Sequence, residues 1–563
     1  MRPEGARVLG ENLEALVVSD PALARAVDAC APSSHITFLT ARDGCFVPAL
    51  RGQGDGIPFH SRVDPRKEAR RLFEAQGGAG YLVFLGLGAG YQVRPFLEDP
   101  RVHRVLIVEK DAQTLKTLLA HVPMAGILAD RRVRVLAGPE PGDIRRHVAA
   151  TYLPAVAGDL RSIPLRPWCE SEPGFFSAAA AEIRAAAEAS SADYSVQAHF
   201  GKRWFQNILH NLPAAETSAL DLGPAPVAHV TAAGPSLDIQ KLALAARQPG
   251  TRLVATDTSL PALIRAGIIP DLVVSIDCQQ HGYHHLLPCL PLEAPFALDL
   301  ASPPVFTRHS TRCAFFAGGH PFARHLRARW RAFPAVDTSG GNVTHAAVSV
   351  AGLLGSRTIH LHGADFSYPR GKPYARGTYL FDIFSLRESR LVPLEGSLFA
   401  FLFRGADVMT ERVEGSLRYT TRILLGYREH LLRLMREIDA VVLPEEGEGL
   451  PLANTGSTGA VGDPPDADSG PRALAPEGAR CGWKCFLSEY AEEIGLLPLP
   501  TSPPAAYFAG LTPAQASLWA TLLPIAPVVS RERGASCSRA AAMDEARGWA
   551  MARISRLLAV HGE

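Results

Sequence analysis

Short apolar runs of strand type alternate with helical segments over residues 226–365. The runs "RLVATD", "DLVVSID" and "TIHLHGAD" are apolar and rich in β-branched residues, and segments with a helical period separate them. Parallel strands that are covered by helices on both faces produce this alternation. The pattern predicts an α/β fold whose main domain is built on a parallel sheet.

Other patterns divide the rest of the chain. Short β-like runs fill 35–63, the strand "YLVFL" opens a smaller strand-and-helix region, and a long helical pattern covers 176–211. Residues 453–477 are rich in Gly, Pro, Ser and Asp and poor in large apolar groups, which is typical of a linker. The predicted organisation is a β-rich segment plus a smaller Rossmann-like domain over 1–175, a helical connector over 176–211, a central domain over 212–450, a flexible linker over 451–477 and a helical C-terminal domain over 478–563.

Composition narrows the class of protein. The 563 residues are 47% hydrophobic and 20% charged with a net charge of +1, which gives no general reason to expect nucleic acid or an anionic membrane as a partner. The nine cysteines are scattered without paired metal-type spacing, which argues against a zinc finger and a disulfide framework. No signal-like segment or membrane-spanning apolar run is found, so we expect a cytoplasmic protein.

The first glycine-rich turn follows the strand "YLVFL". Gly86, Gly88 and Gly90 lie in the turn, and Glu109 ends the next strand about 20 residues later. This layout is typical of a nucleotide site in which the acid binds ribose hydroxyls, and it looks most like the turn of class I S-adenosylmethionine methyltransferases. The alternative is a Rossmann-like domain with no ligand. Both interpretations stay open.

A second turn, "VTAAGPSLDIQ", joins a strand to a helix through Gly234. Bare backbone at a helix start lets a ligand approach and favours an anion. Three nearby strands end in Asp257, Asp277 and Asp365, and the carboxyl ends of parallel strands share one edge of the sheet. The sequence therefore predicts a crevice lined by a glycine turn and three carboxylates. Each acid could instead cap the following helix.

The motifs "AGPSLD", "ATDTSLPALIRAGIIPDLVVSID" and "SGGNVTHAAVSVAGLLGSRTIHLHGADFSY" resemble those of the motility accessory factor (Maf) family of flagellin glycosyltransferases. Related domains occur in archaeal 6-hydroxymethylpterin diphosphokinases. The resemblance reaches upstream into "FHSRVDPRKEARRL" and "FGKRWFQNILHNLP", and covers roughly residues 55–445. It implies a sialyltransferase-like (GT-A-like) Rossmannoid sheet for the central domain, and a CMP-activated sugar as donor without a metal.

The same resemblance implies roles for individual residues. The expected nucleotide-binding set is Gly234, Pro235, Ser236, Asp257, Thr258, Ser259, Asp277 and Asp365. Tyr368 and Tyr374 match tyrosines that contact the departing phosphate, since a phenol can donate a hydrogen bond to developing negative charge. Each could equally be an ordinary amphipathic tyrosine.

The chain departs from the sialyltransferase pattern at the catalytic base. The segment after the tyrosines, "VEGSLRYTTRILLGY", contains no histidine. Substitutes by position and chemistry are His281, His284 and His285, just beyond Asp277, although they could also be histidines without a catalytic role.

Three classes of function follow from the resemblance. The first is an O-glycosyltransferase that moves a nonulosonic acid from a CMP-sugar to Ser or Thr of flagellin or another protein acceptor, with no cofactor required. The second is a diphosphokinase that binds ATP, with Mg²⁺ held by the aspartates. The third is a non-catalytic, flagellum-associated binding protein. The large flanking domains favour a protein acceptor and therefore the transferase.

Overall fold

The computed structural model describes residues 3–52, 56–77, 79–279, 282–310, 312–338, 341–405, 407–413, 415–452, 474, 479–534 and 536–561. His281 and nearly all of the predicted linker lie outside these residues. The chain divides into two compact units: the first contains residues 1–201 and 497–548, and the second contains 202–496 and 549–563.

The strands, in chain order, are β1 (Ile36–Thr40), β2 (Phe46–Leu50), β3 (Ile57–Pro58), β4 (Tyr81–Leu85), β5 (Arg104–Glu109), β6 (Val133–Ala137), β7 (Leu160–Pro164), β8 (Val227–Thr231), β9 (Arg252–Thr256), β10 (Leu272–Ser275), β11 (Phe296–Asp299), β12 (Cys313–Phe316), β13 (Thr358–His362), β14 (Val408–Val413), β15 (Ser416–Thr421) and β16 (Val441–Pro444).

The α-helices are α1 (Pro3–Ser19), α2 (Pro21–Ala29), α3 (Pro65–Gln76), α4 (Arg94–Leu97), α5 (Ala112–Leu119), α6 (Ala125–Leu128), α7 (Pro141–Thr151), α8 (Pro154–Ala157), α9 (Arg166–Ser171), α10 (Pro173–Thr217), α11 (Leu237–Ala245), α12 (Leu260–Ile264), α13 (Gly282–Leu286), α14 (Val305–His309), α15 (Pro321–Arg329), α16 (Val343–Leu353), α17 (Tyr379–Ser385), α18 (Leu394–Leu402), α19 (Arg422–Glu437), α20 (Trp483–Gly495), α21 (Pro504–Ala509), α22 (Pro513–Leu522), α23 (Ala526–Arg533) and α24 (Arg539–Val560).

The first unit contains a parallel sheet with strand order β6-β5-β4-β7. All five residues of β4 are apolar and buried, as expected for a central strand that is covered on both faces. The direction of strand order reverses between β4 and β7, which makes that position the switch point of the sheet. The Rossmann-like prediction for this region agrees with this order. The short β1-β2-β3 sheet is antiparallel, and the preceding helices α1 and α2 were not predicted from the sequence.

The second unit contains a seven-stranded sheet with the order β12-β11-β10-β9-β8-β13-β16, and every pairing in it is parallel. The predicted α/β class is confirmed. On one side of β8, the strands β9, β10, β11 and β12 follow in chain order. On its other side, β8 pairs with β13. The switch point of this sheet therefore lies between β8 and β13, and their carboxyl ends face the same edge.

The helical segment after residue 478 does not pack as one body. In the first unit, the Phe508 ring lies edge-on to His103 with centroids 6.1 Å apart. In the second unit, Tyr490 of α20 stacks on Phe322 at 4.9 Å. The predicted C-terminal domain is thus divided between the two units because its helices bury their apolar faces on different cores. No helix among the described residues is both long and apolar enough to cross a bilayer.

Asp299 ends β11 and is enclosed by the second unit. Its Oδ1 accepts the Ala301 N–H at 2.7 Å, and a Cβ added to Gly318 would lie only 1.8 Å from Oδ2. Burial raises the pKa of Asp299 to about 7, because the charged form loses its hydration. The sequence did not single out this carboxyl group.

Asp299 predicts a pH-dependent stability. Its folded pKa exceeds the unfolded value, so its stabilising contribution is present at low pH and is lost as pH rises through about 7. The difference in unfolding free energy between the Asp299→Asn variant and the wild type should therefore shift in favour of the variant by about 2–3 kcal/mol as the pH rises from roughly 5 to 8. Urea unfolding at both pH values measures this gain. The exposed control Asp439→Asn should show no such trend, and a gain for Asp299→Asn that does not grow with pH would contradict the assignment.

Candidate functional site

The Gly-Pro-Ser turn joins β8 to α11, and Asp365 holds it. The Ser236 N–H donates to Asp365 Oδ2 at 2.8 Å, and the Ser236 hydroxyl donates to Asp365 Oδ1. A Cβ on Gly234 would lie 2.3 Å from Asp365 Oδ2 and 2.4 Å from Gly363 O, so a side chain at position 234 would push Asp365 away. Because β8 and β13 are neighbours, this contact closes the switch point of the sheet.

The N–H groups at this helix start are all used within the protein. Gly234 donates to Gly363 O, Ser236 to Asp365, Leu237 to Gly234 O and Asp238 to Pro235 O, at distances of 2.8–3.0 Å. The sequence predicts that bare backbone here receives an anionic ligand. Instead, the carboxyl group of Asp365 occupies that position. Nucleotide contact by Gly234, Pro235 and Ser236 stays a prediction, and glycine is required here for the approach of Asp365.

A strap formed by residues 445–450, after β16, covers the turn. The Glu448 N–H donates to Ser236 Oγ at 2.7 Å, and the Leu450 N–H donates to the Asp365 carbonyl at 2.8 Å. A Cβ on Gly447 would lie 2.6 Å from Ser236 Oγ, and one on Gly449 would lie 2.4 Å from Asp365 Cα. Gly447 and Gly449, the two glycines of "EEGEGL", are therefore the signal of the strap in the sequence. Neither glycine was singled out from the sequence.

The end of β9 supplies the next group of predicted residues. Asp257 Oδ2 accepts the Ser275 hydroxyl at 2.6 Å, and Asp257 Oδ1 accepts the Thr258 hydroxyl at 3.0 Å. Ser259 is fully buried, and its Oγ lies 2.9 Å from Thr231 Oγ1 at the end of β8. These contacts place Asp257, Thr258 and Ser259 at the same edge as the Gly-Pro-Ser turn, as predicted.

Residues 374–378 lie against that turn. The Ala375 N–H donates to Ala233 O at 2.8 Å, and the Arg376 N–H donates to Asp238 Oδ1 at 3.0 Å. Arg265 anchors the other end by donating to the Gly377 carbonyl at 2.9 Å. This docking brings Tyr374 next to the Gly-Pro-Ser turn, although the two are far apart in sequence.

Three tyrosines and one arginine form what we call the tyrosine cluster: Tyr368, Tyr374, Tyr379 and Arg404. The rings of Tyr374 and Tyr379 have centroids 6.3 Å apart. Burial raises the pKa of all three phenols, and the positive guanidinium of Arg404 acts on each of them in the opposite direction. The cluster therefore offers three protonated phenols and one cation to a negatively charged group. Neither Tyr379 nor Arg404 was singled out from the sequence.

The backbone that leads to Tyr368 is strained. Phe366 and Arg370 have φ values of +47° and +53°, a region that side chains other than glycine rarely adopt. The Tyr368 N–H donates to Tyr419 O at 2.7 Å, and the Thr420 hydroxyl donates to Phe366 O at 2.9 Å, which hold this conformation. Strain of this kind concentrates at functional sites, where the surrounding structure maintains it.

Asp277 and His285 approach the cluster from β10 and α13. Burial is the main cause that raises the pKa of Tyr379. Arg404 lowers this pKa, and the negative charge of Asp277 raises it. The buried His285 ring packs perpendicular to Tyr379 with centroids 4.6 Å apart. His284 is exposed on the same helix, and His281 lies outside the described residues. Of the predicted candidates for the base, His285 is thus the one that packs against a ring of the tyrosine cluster, that of Tyr379.

Two asparagines of α10 position the loops that carry these groups. Asn207 Nδ2 donates to Cys278 O at 3.0 Å and to Ala301 O at 2.8 Å. Asn211, one helical turn later, donates to Leu300 O at 2.9 Å and to Ser302 O at 2.8 Å. They explain the motif "FQNILHN": each side chain clamps loops that follow β10 or β11.

The first glycine-rich turn, in the other unit, is filled by side chains of the chain itself. Glu109 is fully buried; it accepts the Leu87 N–H at 3.0 Å and the Trp168 indole N–H at 2.6 Å. A Cβ on Gly86 would lie 2.8 Å from the Trp168 ring. Glu109 thus holds the turn and Trp168 at the switch point between β4 and β7.

His60 occupies the other side of this turn. Its Nε2 accepts the Ala89 N–H at 2.9 Å, and a Cβ on Gly88 would lie 2.5 Å from that nitrogen. Burial lowers the pKa of His60 to about 4, which keeps the ring neutral and able to accept. Gly86, Gly88 and Gly90 all have positive φ. Their geometry favours the interpretation without a ligand, while the second nucleotide site stays a prediction.

Comparisons with known proteins indicate a family and a fold for this chain. Residues 203–371 match the family model described as 6-hydroxymethylpterin diphosphokinase MptE-like. The chain belongs to the MptE-like family through this domain. The matched segment contains both asparagines, the Gly-Pro-Ser turn, Asp365 and Tyr368, whereas Tyr374, Tyr379 and Arg404 lie beyond it.

Two uncharacterized proteins of Treponema pallidum (strain Nichols) are similar in sequence. One is 35% identical over 150 residues, which cover 26% of this chain and 53% of that protein. The other is 30% identical over 167 residues, which cover 29% of this chain and 80% of that protein. The chain thus spans about half the length of the first relative, and neither relative's name indicates an activity.

A solved structure resembles the whole chain. The Maf glycosyltransferase from Magnetospirillum magneticum AMB-1 matches 99% of this chain and 95% of its own, with a TM-score of 0.58 and 16% sequence identity. At this identity the likeness shows the fold alone. It confirms the predicted resemblance in fold, and extends it to both units of the MptE-like protein.

The contacts of Ser236 predict a measurable effect of its removal. Ser236→Ala leaves an oxygen of Asp365 and the Glu448 N–H without their buried partner, which should cost about 1–3 kcal/mol of stability. Urea unfolding measures the loss, and faster hydrogen exchange at the Glu448 amide would locate it in the strap. The exposed control Ser385→Ala should change stability by less than about 0.5 kcal/mol. Unchanged exchange at Glu448 would contradict the proposed link between turn and strap.

Proposed function

We propose that this protein is an O-glycosyltransferase that moves a nonulosonic (sialic-like) acid from a CMP-sugar to a Ser or Thr hydroxyl of flagellin. The observation that carries the proposal is the tyrosine cluster beside the Gly-Pro-Ser turn. Its phenols and guanidinium suit a phosphate that gains charge as it leaves. The fold shared with a Maf glycosyltransferase supports the same reaction class.

In this reaction the bond between the anomeric carbon and the CMP phosphate oxygen breaks, and its electron pair stays on that oxygen. Tyr368, Tyr374 and Tyr379 would donate hydrogen bonds to the phosphate, and Arg404 would neutralise its charge. Burial keeps the phenols protonated and able to donate. The backbone amides of the turn take no part, because they already donate within the protein.

The acceptor hydroxyl attacks the anomeric carbon and must lose its proton to a base. His285 is the candidate that lies against the tyrosine cluster, with Asp277 at the same edge. His281 and His284 are the other two predicted candidates. Asp365 is poorly suited to this role because both of its oxygens accept hydrogen bonds from Ser236.

The description of the matched family favours a second candidate, an ATP-dependent diphosphokinase. That reaction would need Mg²⁺ held by carboxylates at the same edge. The donor set fits poorly: Asp257 accepts hydroxyls of Ser275 and Thr258, and Asp365 is held by Ser236. Among the described residues, the aspartates do not form a group of converging ligand atoms. We therefore rank the transferase first.

Phenol removal tests the transferase directly. Tyr374→Phe and Tyr368→Phe should each lower kcat for sugar transfer by about 10- to 100-fold, because the hydrogen bond strengthens as charge develops on the phosphate. Affinity for CMP, measured by calorimetry, should change by less than about twofold. Tyr283→Phe on α13 is the matched control and should leave both quantities unchanged.

Arg404 provides a test of charge in the same assay. Arg404→Ala should weaken binding of CMP and of the donor, Arg404→Lys should restore part of it, and the exposed control Arg412→Ala should have no effect. Wild-type kinetics in both phenol variants together with unchanged CMP affinity in Arg404→Ala would overturn the assignment of the cluster.

Chelation separates the two candidate reactions. The transferase assignment predicts that CMP affinity and sugar transfer persist in excess EDTA, because phenols and a guanidinium bind the phosphate. The kinase assignment predicts that ATP-dependent phosphoryl transfer is lost on chelation and recovers with Mg²⁺. ATP-dependent diphosphokinase activity that EDTA abolishes would establish the kinase in place of the transferase.

A further inference from the structure

Two cysteines and a glutamate meet on one side of α20. Cys481 lies just before the helix, and Cys485 and Glu489 follow at intervals of four residues, which is close to one helical turn. Their sulfur and carboxylate ligand atoms all lie within 4.8 Å of one another. The Cys485 thiol donates to Glu489 Oε1 at 3.3 Å. Three residues separate Cys481 from Cys485, which lies within the usual spacing of zinc-binding cysteines, although the pair was not singled out from the sequence.

The backbone that carries these donors is fixed from the opposite side. Trp330 Nε1 donates to Cys481 O at 3.0 Å, and the Trp483 N–H donates to Glu216 Oε1 at 2.7 Å. The apolar face of α20 is buried, with the Phe486 ring stacked on Trp330 at 5.9 Å. The three donors therefore start from a rigid element, which lowers the cost of arranging them around an ion.

The donor chemistry selects the class of ion. Thiolates favour borderline and soft metals such as Zn²⁺ over Mg²⁺ or Ca²⁺. Zinc–sulfur bonds of about 2.3 Å in a tetrahedron place neighbouring ligand atoms roughly 3.5–4 Å apart, a spacing that small side-chain rotations can reach here. Two sulfurs and one carboxylate oxygen fill three positions and leave the fourth for water.

We propose that Cys481, Cys485 and Glu489 bind Zn²⁺ or a similar thiophilic divalent cation. Such an ion would join the chain just before α20 to its first two turns. The site is independent of the proposed transferase, since none of its ligands belongs to the tyrosine cluster.

Ion binding at this site requires the thiols to lose their protons. Metal binding displaces thiol protons, and we therefore expect proton release in weakly buffered solution.

The full-length protein, freed of metal and kept reduced, is titrated with Co²⁺, whose thiolate complexes absorb in the near ultraviolet. We expect one equivalent to bind with a sulfur-to-cobalt band that Zn²⁺ abolishes by displacement. Cys481→Ser and Cys485→Ser should each weaken binding by at least about 10-fold, and Glu489→Gln by a smaller factor. Circular dichroism checks that each variant keeps its fold.

Cys537→Ser is the matched control, because Cys537 is also only partly exposed but belongs to the other unit. Its cobalt spectrum should equal that of the wild type. A thiolate band that persists in the Cys481→Ser, Cys485→Ser double variant would overturn the proposal. The absence of a thiolate band in the reduced wild-type protein would also overturn the proposal. This holds even if oxidation joins the two cysteines in a disulfide.

Discussion

The contact between Ser236 and Asp365 is the interaction on which the candidate site depends. It joins the ends of β8 and β13, the two neighbouring strands between which the order of the parallel sheet reverses. The strap formed by residues 445–450 contacts this pair through the backbone N–H groups of Glu448 and Leu450. The segment that carries Tyr374 docks on the backbone of the same turn. Asp365 thus holds the turn and the strap, and the turn in its place holds the segment that carries Tyr374.

The two parallel sheets close their switch points in similar ways. In the first unit, Glu109 binds a loop amide and the Trp168 indole beyond β4. In the second unit, Asp365 binds the amide and hydroxyl of Ser236 beyond β8. A protein carboxyl group therefore takes the position that a ligand phosphate or ribose takes in many such folds. In the second unit, the groups suited to a phosphate are side chains instead, namely the phenols of the tyrosine cluster and Arg404.

Local patterns were sufficient to predict the fold class but only part of the site. Alternating apolar strands and helices indicate a parallel sheet, and that rule also places Asp257, Asp277 and Asp365 at one edge. The partners of these residues depend on packing over long distances: Ser236 meets Asp365 across 129 positions and Glu448 across 212. Arg404 and the strap follow the recognisable motifs in the chain, and no local periodicity connects them to the turn. For the same reason, the sequence could not show that the turn's amides are already used.

The account is tested most directly by the intact mass of flagellin from the host. Flagellin is isolated from the wild-type strain, from a strain that lacks this protein, and from a strain that carries Tyr374→Phe. The account predicts that flagellin loses the mass of one or more nonulosonic acid residues without the protein, and is modified to an intermediate or lower extent with Tyr374→Phe. Flagellin of identical mass in the wild-type strain and in the strain without the protein would contradict the proposed reaction.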